Sequence, residues 1–363
     1  MTVTANTSLD VDDTLAINPT AMSYYLALRH LPFLGMEWIP GQAPSLPAPA
    51  DATIGVSSSR EILDALTSLM PTSTGTGILL SGGIDSAILA ALAEPGTPTF
   101  TITFDAPGAA NESIAAARYA AKWGHPHHTV LVTWNDYLKH TTTLMAHKQA
   151  PLHPVEVPLH IAALHARSLG VTTLLVGNGA DSTFGGMDKL LCPQWTFQGF
   201  LDRYRFVDPA SVLSDPSPTD APFAPYRSGN GIDVQRFLRE IHGQGIVQSF
   251  ENAIRSAGVD ISAPYEAMTH VGELDLNRIR GGEPKYLLQR LFADLYGTSD
   301  VPTKVPFARP MDTWMSDWQG PDPQPEFRSD LSRKLRSMTG EQRFLVWCLD
   351  AFVRQLDGAR RHD

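Results

Sequence analysis

The sequence predicts a doubly wound α/β fold, a parallel sheet with helices on both faces and helical additions toward the C-terminus. Three observations lead there. Short apolar, β-branched runs alternate with helical patterns between residues 57 and 176, the βαβα order of a parallel sheet. One of these runs, Gly77–Leu80, opens directly into Ser81-Gly82-Gly83-Ile84-Asp85-Ser86 and a helical stretch. Beyond about residue 190, helical patterns replace strand patterns.

The elements follow in order. Residues 1–55 read as an N-terminal segment and linker, and 56–363 as one domain. Within the first part, Asp10 to Asp13 is a small acidic patch, Ala21–Arg29 a helix, and Pro40 to Pro49 a proline-rich connection. Ser57 or Ser58 caps a helix running to about Met70. A Ser/Thr/Gly loop then leads into the Gly77–Leu80 strand, short and apolar as a strand covered on both faces should be. Pro98–Phe104 is β-branched and aromatic, a second strand. Asn111 caps a helix from about Glu112 to Trp123, and Gly124 stops it. Thr129–Trp134 is a strand, Val157–Ser168 a helix with Pro158 in its first turn, and Val171–Val176 a strand. That strand ends in Gly177-Asn178-Gly179-Ala180-Asp181. Asp208–Asn230 holds five prolines and reads as an irregular loop, a lid or a surface excursion. Val234–Ala257 is helical, Lys285–Arg290 lies in a helix after Pro284, and Thr339 with Gln342 forms a capping box for a last helix that Gly358 closes near Leu356.

Composition removes several function classes. The 363 residues are 43% hydrophobic and 18% charged, with a formal net charge of −10. No basic tract stands out, which argues against a nucleic-acid partner. No apolar run approaches a membrane span, and Met1–Asn6 lacks the features of a secretory leader. A cytoplasmic protein is expected. Two cysteines, Cys192 and Cys348, give neither a disulfide framework nor zinc-ligand spacing. His125, His127 and His128 cluster, but not on one helix face, so packing is favoured over a metal.

The chemistry concentrates at the glycine turn. Gly82 and Gly83 let backbone N–H groups approach a ligand, and the start of a helix favours anionic oxygens. Ser81 and Ser86 can donate to a phosphate. Asp85 would repel one, so it suits a bridging Mg²⁺. In parallel sheets ligands lie beyond the carboxyl ends of the strands. Asp181 follows such a strand end and can share that Mg²⁺ with Asp85. The G-x-x-x-x-G-K-[ST] loop, the G-x-G-x-x-G fingerprint and the G-x-S-x-G elbow are all absent. The loop therefore lacks a lysine of its own, and Lys304, in the proline-framed segment Val301–Trp314, is the candidate cation.

These residues resemble a known family. Ser81–Ser86 is similar to the pyrophosphate loop of the ATP pyrophosphatase superfamily, the adenine nucleotide alpha hydrolase-like fold. More narrowly, the chain resembles the synthetase domain of the asparagine synthetase and β-lactam synthetase family. Phe100–Phe104 with Asn111–Ser113, Gly177–Met187, Gly258–Tyr265, Lys285–Leu288, and Thr303-Lys304 with Phe307, Pro310 and Trp314 carry the likeness in order. It implies an ATP site formed by Ser81, Gly82, Gly83, Asp85, Ser86, Thr103, Phe104, Gly177 and Gly179. It also implies Mg²⁺ on Asp85 and Asp181, and Lys304 on the reacting phosphate. The implied reaction is adenylation of a carboxylate with release of pyrophosphate, then attack by a nitrogen nucleophile and release of AMP.

Three departures qualify the likeness. The family's full-length members begin with a glutaminase domain whose nucleophile is an N-terminal cysteine, whereas this chain has Met1-Thr2 and no cysteine before Cys192. Residues 1–55 then read as a remnant of the joining region. Nitrogen is expected as free ammonia, from a separate protein, or as an amine on the substrate. Asn178 stands where asparagine synthetases carry a glutamate and β-lactam synthetases a tyrosine, and an amide is a poor general base. Ser182 replaces a common acidic residue. The expectation is an AMP-forming amide ligase of specialised biosynthesis acting on a small-molecule or peptide carboxylate. The rivals are a peptide macrolactam-forming cyclase and a degenerate nucleotide-binding partner subunit.

Overall fold

A computed structural model describes residues 17–44, 53–298, 300–302, 307 and 309–360. Lys304, the acidic patch Asp10–Asp13 and much of the proline-rich connection lie outside the described residues.

The chain enters through α1 (Pro19–Leu28), capped by Asn18, whose side chain accepts from the Thr20 and Ala21 N–H groups. β1 (Ile54–Val56) spans the expected boundary at residue 55 and precedes α2 (Ser59–Leu69), which Ser58 caps. Then come β2 (Thr76–Leu79), α3 (Ile84–Leu92), β3 (Thr99–Phe104), α4 (Ser113–Lys122) and β4 (His127–Val132). α5 (Trp134–Lys148) is an element the strand-and-helix reading passes over. Its apolar stripe is weak, but Thr133 and Asp136 close a full capping box at its start. α6 (Glu156–Ser168) leads back to β5 (Thr173–Leu175).

After β5 come short helices α7 (Ala180–Phe184), α8 (Asp188–Leu191) and α9 (Phe197–Tyr204), then the hairpin β6 (Arg227–Ser228) and β7 (Gly231–Ile232). The expected Val234–Ala257 helix is divided into α10 (Val234–Phe237), a π-turn over Leu238–His242 and α11 (Gly243–Arg255). β8 (Asp260–Ser262) and β9 (Met268–His270) follow, with α12 (Leu276–Arg280) and α13 (Tyr286–Tyr296) behind them. The chain closes through α14 (Met311–Trp314), α15 (Leu331–Leu335) and α16 (Gly340–Arg360). Thr339 and Gln342 form the expected capping box, but Gly358 does not stop the helix.

The main sheet runs β4-β3-β2-β5-β8, every pair parallel. β8 is a fifth strand that its three residues do not announce. Chain order reverses between β2 and β5, because β2 continues outward to β3 while β5 lies on its other side. That is the switch point at which doubly wound sheets open a crevice. β1 and β9 form a separate parallel pair.

The Asp208–Asn230 segment is neither a lid nor a loose excursion. Val212, Leu213 and Phe223 are buried. Ser217 is tied to Thr20 and Ser23 of α1, and Arg205 donates to Thr219. α1 shares one apolar cluster with α5 and α16, built around Tyr25, Trp38, Tyr137, Phe344 and Phe352.

Candidate active site

A cleft of about 1780 Å³ opens at the carboxyl end of the sheet. It exceeds the ~300–1,000 Å³ of ordinary small-molecule pockets, leaving room for two substrates side by side. The Ser81–Ser86 turn after β2 and the Gly177–Asp181 turn after β5 both line it, one on each side of the switch point.

The first turn is braced from within. Ser86 is buried, and its Oγ accepts from the Ser81 N–H at 2.9 Å and meets Ser81 Oγ at 3.0 Å. The Gly83 N–H donates to Ser81 Oγ at 3.2 Å. Ser86 therefore shapes the loop. Glu112, at the start of α4, accepts from the Gly82 N–H, and burial raises its carboxyl. A Glu112 oxygen thus occupies a backbone donor of the turn of the kind that binds anionic oxygens. Three tyrosines fix the N-terminal half of α3: Tyr265, Tyr119 and Tyr296 donate to the carbonyls of Asp85, Gly82 and Ala87.

Asp85 and Asp181 converge as expected, and the structure places a cation between them that sequence reasoning did not single out. Lys285 Nζ lies 2.7 and 3.0 Å from the two Asp85 oxygens and 3.0 Å from Asp181 Oδ1. Burial alone would lower the Lys285 pKa, but the two carboxylates override it and raise it. Lys285 has φ of +54°, an unusual left-handed backbone just before α13. That conformation, invisible in sequence, turns the side chain into the cleft; the signal available was Pro284-Lys285 opening a family-like segment. Gly186 completes the arrangement, because a Cβ there would lie 2.0 Å from Asp181 Oδ1. Two hard carboxylate donors focused on one cation, with a glycine clearing space for one of them, fit Mg²⁺ chemically. Among the described residues no group of three or more His, Cys, Asp or Glu gathers as a metal cage. The remaining ligands of such an ion would have to come from phosphate and water, as is usual for Mg²⁺.

Thr103 and Phe104 are not brought to the cleft. The wall of β3 there is Phe100, Thr101 and Ile102. Thr103 Oγ1 donates to the Val130 carbonyl, and Phe104 packs against Phe307 and Trp314. Phe307 and Trp314 cover the carboxyl end of β3, so the cleft meets the strand two residues earlier. Gly177 and Gly179 do line the cleft. Asn178 Nδ2 donates to Glu266 Oε1, while its own Oδ1 has no partner among the described residues. Burial, and then Glu251, push the Glu266 carboxyl up to about 7, against the Asn178 hydrogen bond.

The opposite wall is held by a buried ion pair. Glu156, at the start of α6, accepts from Lys148 Nζ at 2.5 Å, Asn252 Nδ2 at 2.5 Å and the His153 N–H at 2.7 Å. This fixes His153 at the cleft. Its Nδ1 accepts from the Val155 N–H at 3.2 Å, and its Nε2 is without a partner among the described residues. Burial, with Arg29 and Arg309 next, holds this imidazole well below its usual range. The neutral ring with Nδ1 accepting carries its proton on Nε2. The three histidines pack apart: His125 bonds the Ala90 carbonyl, His127 meets Thr99, and His128 stacks on Phe100.

Among the described residues no helix is long and apolar enough to cross a membrane. Comparison with known proteins matches residues 59–255 to the sequence model of the family described as asparagine synthase. Asparagine synthetase (glutamine-hydrolysing) 1 of Bacillus subtilis (strain 168) is 31% identical over 129 residues, 34% of this chain and 20% of that protein. A Mycobacterium tuberculosis (strain ATCC 25618 / H37Rv) protein, also named as a glutamine-hydrolysing asparagine synthetase, is 34% identical over 127 residues, 34% of this chain and 19% of that one. The matched stretch thus spans about a fifth of the length of these curated relatives. Among solved structures, a U34-tRNA thiolase from Methanococcus maripaludis covers 82% of this chain and 79% of its own at 12% identity and a TM-score of 0.31, too loose a likeness to argue from.

Proposed function

The chain belongs to the asparagine synthase family, and on that premise we propose that it is a cytoplasmic, AMP-forming amide ligase whose synthetase domain occupies residues 56–363. The family implies ATP-dependent amide formation. The observation that carries the finer reading is the convergence of Asp85 and Asp181 on one cation beside the Ser81–Gly83 turn.

In this reading the polyphosphate of ATP lies along the Ser81–Gly83 turn, displacing Glu112 from the Gly82 N–H. Ser81 and the backbone N–H groups hold the departing pyrophosphate, and Ser86 keeps the turn in shape. Lys285 and Lys304 supply positive charge, Lys304 at the reacting phosphate. Asp85 and Asp181 would hold Mg²⁺, which supplies charge neutralisation for the phosphates when bound. Phe100 to Ile102 face the nucleotide in place of Thr103 and Phe104. A carboxylate oxygen of the second substrate attacks the α-phosphorus, and pyrophosphate leaves. Preorganised donors aimed at the leaving group are worth about 10²–10³ each in rate. The acid lies toward His153, whose Nε2–H and the neighbouring Arg29 and Arg309 suit a carboxylate-bearing molecule. A nitrogen nucleophile then attacks the acyl carbon of the adenylate and AMP leaves.

Both cysteines stand outside the cleft wall. Ammonia or an amine, free or on the same substrate molecule, is the proposed nitrogen source. ATP–pyrophosphate exchange tests the reading across the amino acids, dicarboxylic acids and short peptides. At least one acid should support exchange, and Asp85→Ala and Asp181→Ala should each abolish it. ATP binding without exchange for every acid would make the chain a nucleotide-binding relative instead.

A further inference from the structure

We propose that Glu266 takes the proton released by the nitrogen nucleophile, and that Asn178 holds the Glu266 carboxylate in position to do so. This rests on the amide-ligase reading above and assigns a group to its second half.

Glu266 sits in the short turn Pro264–Ala267, between β8 and β9, and lines the cleft. It reaches Asn178 across 88 residues of sequence. Gly179 makes that approach possible: its φ is +90°, and a Cβ there would lie 2.9 Å from both the Glu266 side chain and its backbone nitrogen. The other glutamates of the cleft wall are engaged. Glu251 is paired with Arg255, Glu240 with Arg236 and Arg239, and Glu112 with the Gly82 N–H. Of the charged groups on neighbouring elements, Glu251 on α11 acts on Glu266 directly. Asp85 on α3 and Asp181 on α7 are both paired with Lys285, just before α13.

A carboxyl group poised near 7 can accept a proton at neutral pH and give it back to water. The nitrogen lone pair forms the C–N bond at the acyl carbon, leaving the nitrogen positively charged. Its proton passes to Glu266 as the C–O bond to AMP breaks, and the electron pair departs with the phosphate. Asn178 is a positioning residue here, and its amide stands where a base would otherwise be.

The test uses the full chain, an acid that supports exchange, and ammonium and hydroxylamine as nucleophile probes. Hydroxylamine is largely neutral at pH 7, and its adduct sheds a proton readily. Glu266→Gln should lower ammonia-dependent amide formation by about 10²-fold, with far smaller losses in exchange and in hydroxamate formation. Glu266→Asp should recover part of the turnover. With rates expressed against free ammonia, the wild-type profile should fall as pH drops through about 7, and Glu266→Gln should lose that limb. Asn178→Ala should move the limb to higher pH. Undiminished amide formation in a folded Glu266→Gln overturns the assignment, as does an equal loss of exchange and amide formation. Failure of every acid to support exchange in the wild type overturns the amide-ligase reading and this assignment with it.

Discussion

Lys285 is held at 2.7 to 3.0 Å from two carboxylates, and removing its charge takes a shared cation from Asp85 and Asp181. Lys285→Met should lower the thermal midpoint in the absence of nucleotide and reduce exchange by about 10²-fold, checked by melting curves and the exchange assay. Gly186→Ala puts a methyl group on Asp181 Oδ1. Exchange should collapse while far-UV circular dichroism stays near wild type. Glu266 makes a third, pH-dependent prediction. Its carboxyl is raised from 4.5 to about 7, so the folded state binds its proton more tightly than the unfolded one. The associated stability is fully present below about 4.5 and is lost as pH rises through about 7. Glu266→Gln should therefore be the more stable protein at pH 8, by about 3 kcal/mol at most, with the gap closing at pH 4.

Elements carry their own lesson about legibility. The β2–α3 unit was readable because an apolar strand, two glycines and a helix start stand in eleven consecutive residues, and β3 and β5 were readable from β-branched content. β8 was not, because Asp260-Ile261-Ser262 is too short to show a period. The π-turn at Leu238–His242 was hidden for the opposite reason: one extra residue in a turn leaves the helical pattern nearly intact. Gly186, in the turn after α7, and Lys285, just before α13, take their places through tertiary contacts that no local pattern encodes. The α5–α6 connection offers a direct test. Glu156 and Lys148 are both almost fully buried, and breaking such a pair costs about 3–5 kcal/mol. Glu156→Ala should lower urea stability by that order, and adding Lys148→Met should recover part of it.

At the scale of the whole molecule, α1 is part of the core. Eight of the ten residues of α1 are buried, against α16 and the Asp208–Asn230 segment. Deleting residues 1–44 should give insoluble protein, measured by the soluble fraction on expression. Proline-rich stretches usually mark boundaries, which is why sequence alone set this segment apart; the packing of Tyr24, Tyr25 and Trp38 with residues of α5 and α16 is a tertiary contact that no local pattern shows. A further outcome follows from the cysteines: glutamine should not replace ammonia for this chain, as amide yield would show. The Lys285 bridge finally bears on sequence of arrival. With a net charge of −10 overall and one ammonium already seated between two acids, a lone divalent ion entering the cleft must compete with a tethered rival. A triphosphate brings the lysine a new anionic partner and frees the carboxylates together. Metal and nucleotide should therefore load as one complex, with calorimetry showing weak Mg²⁺ uptake until ATP is present.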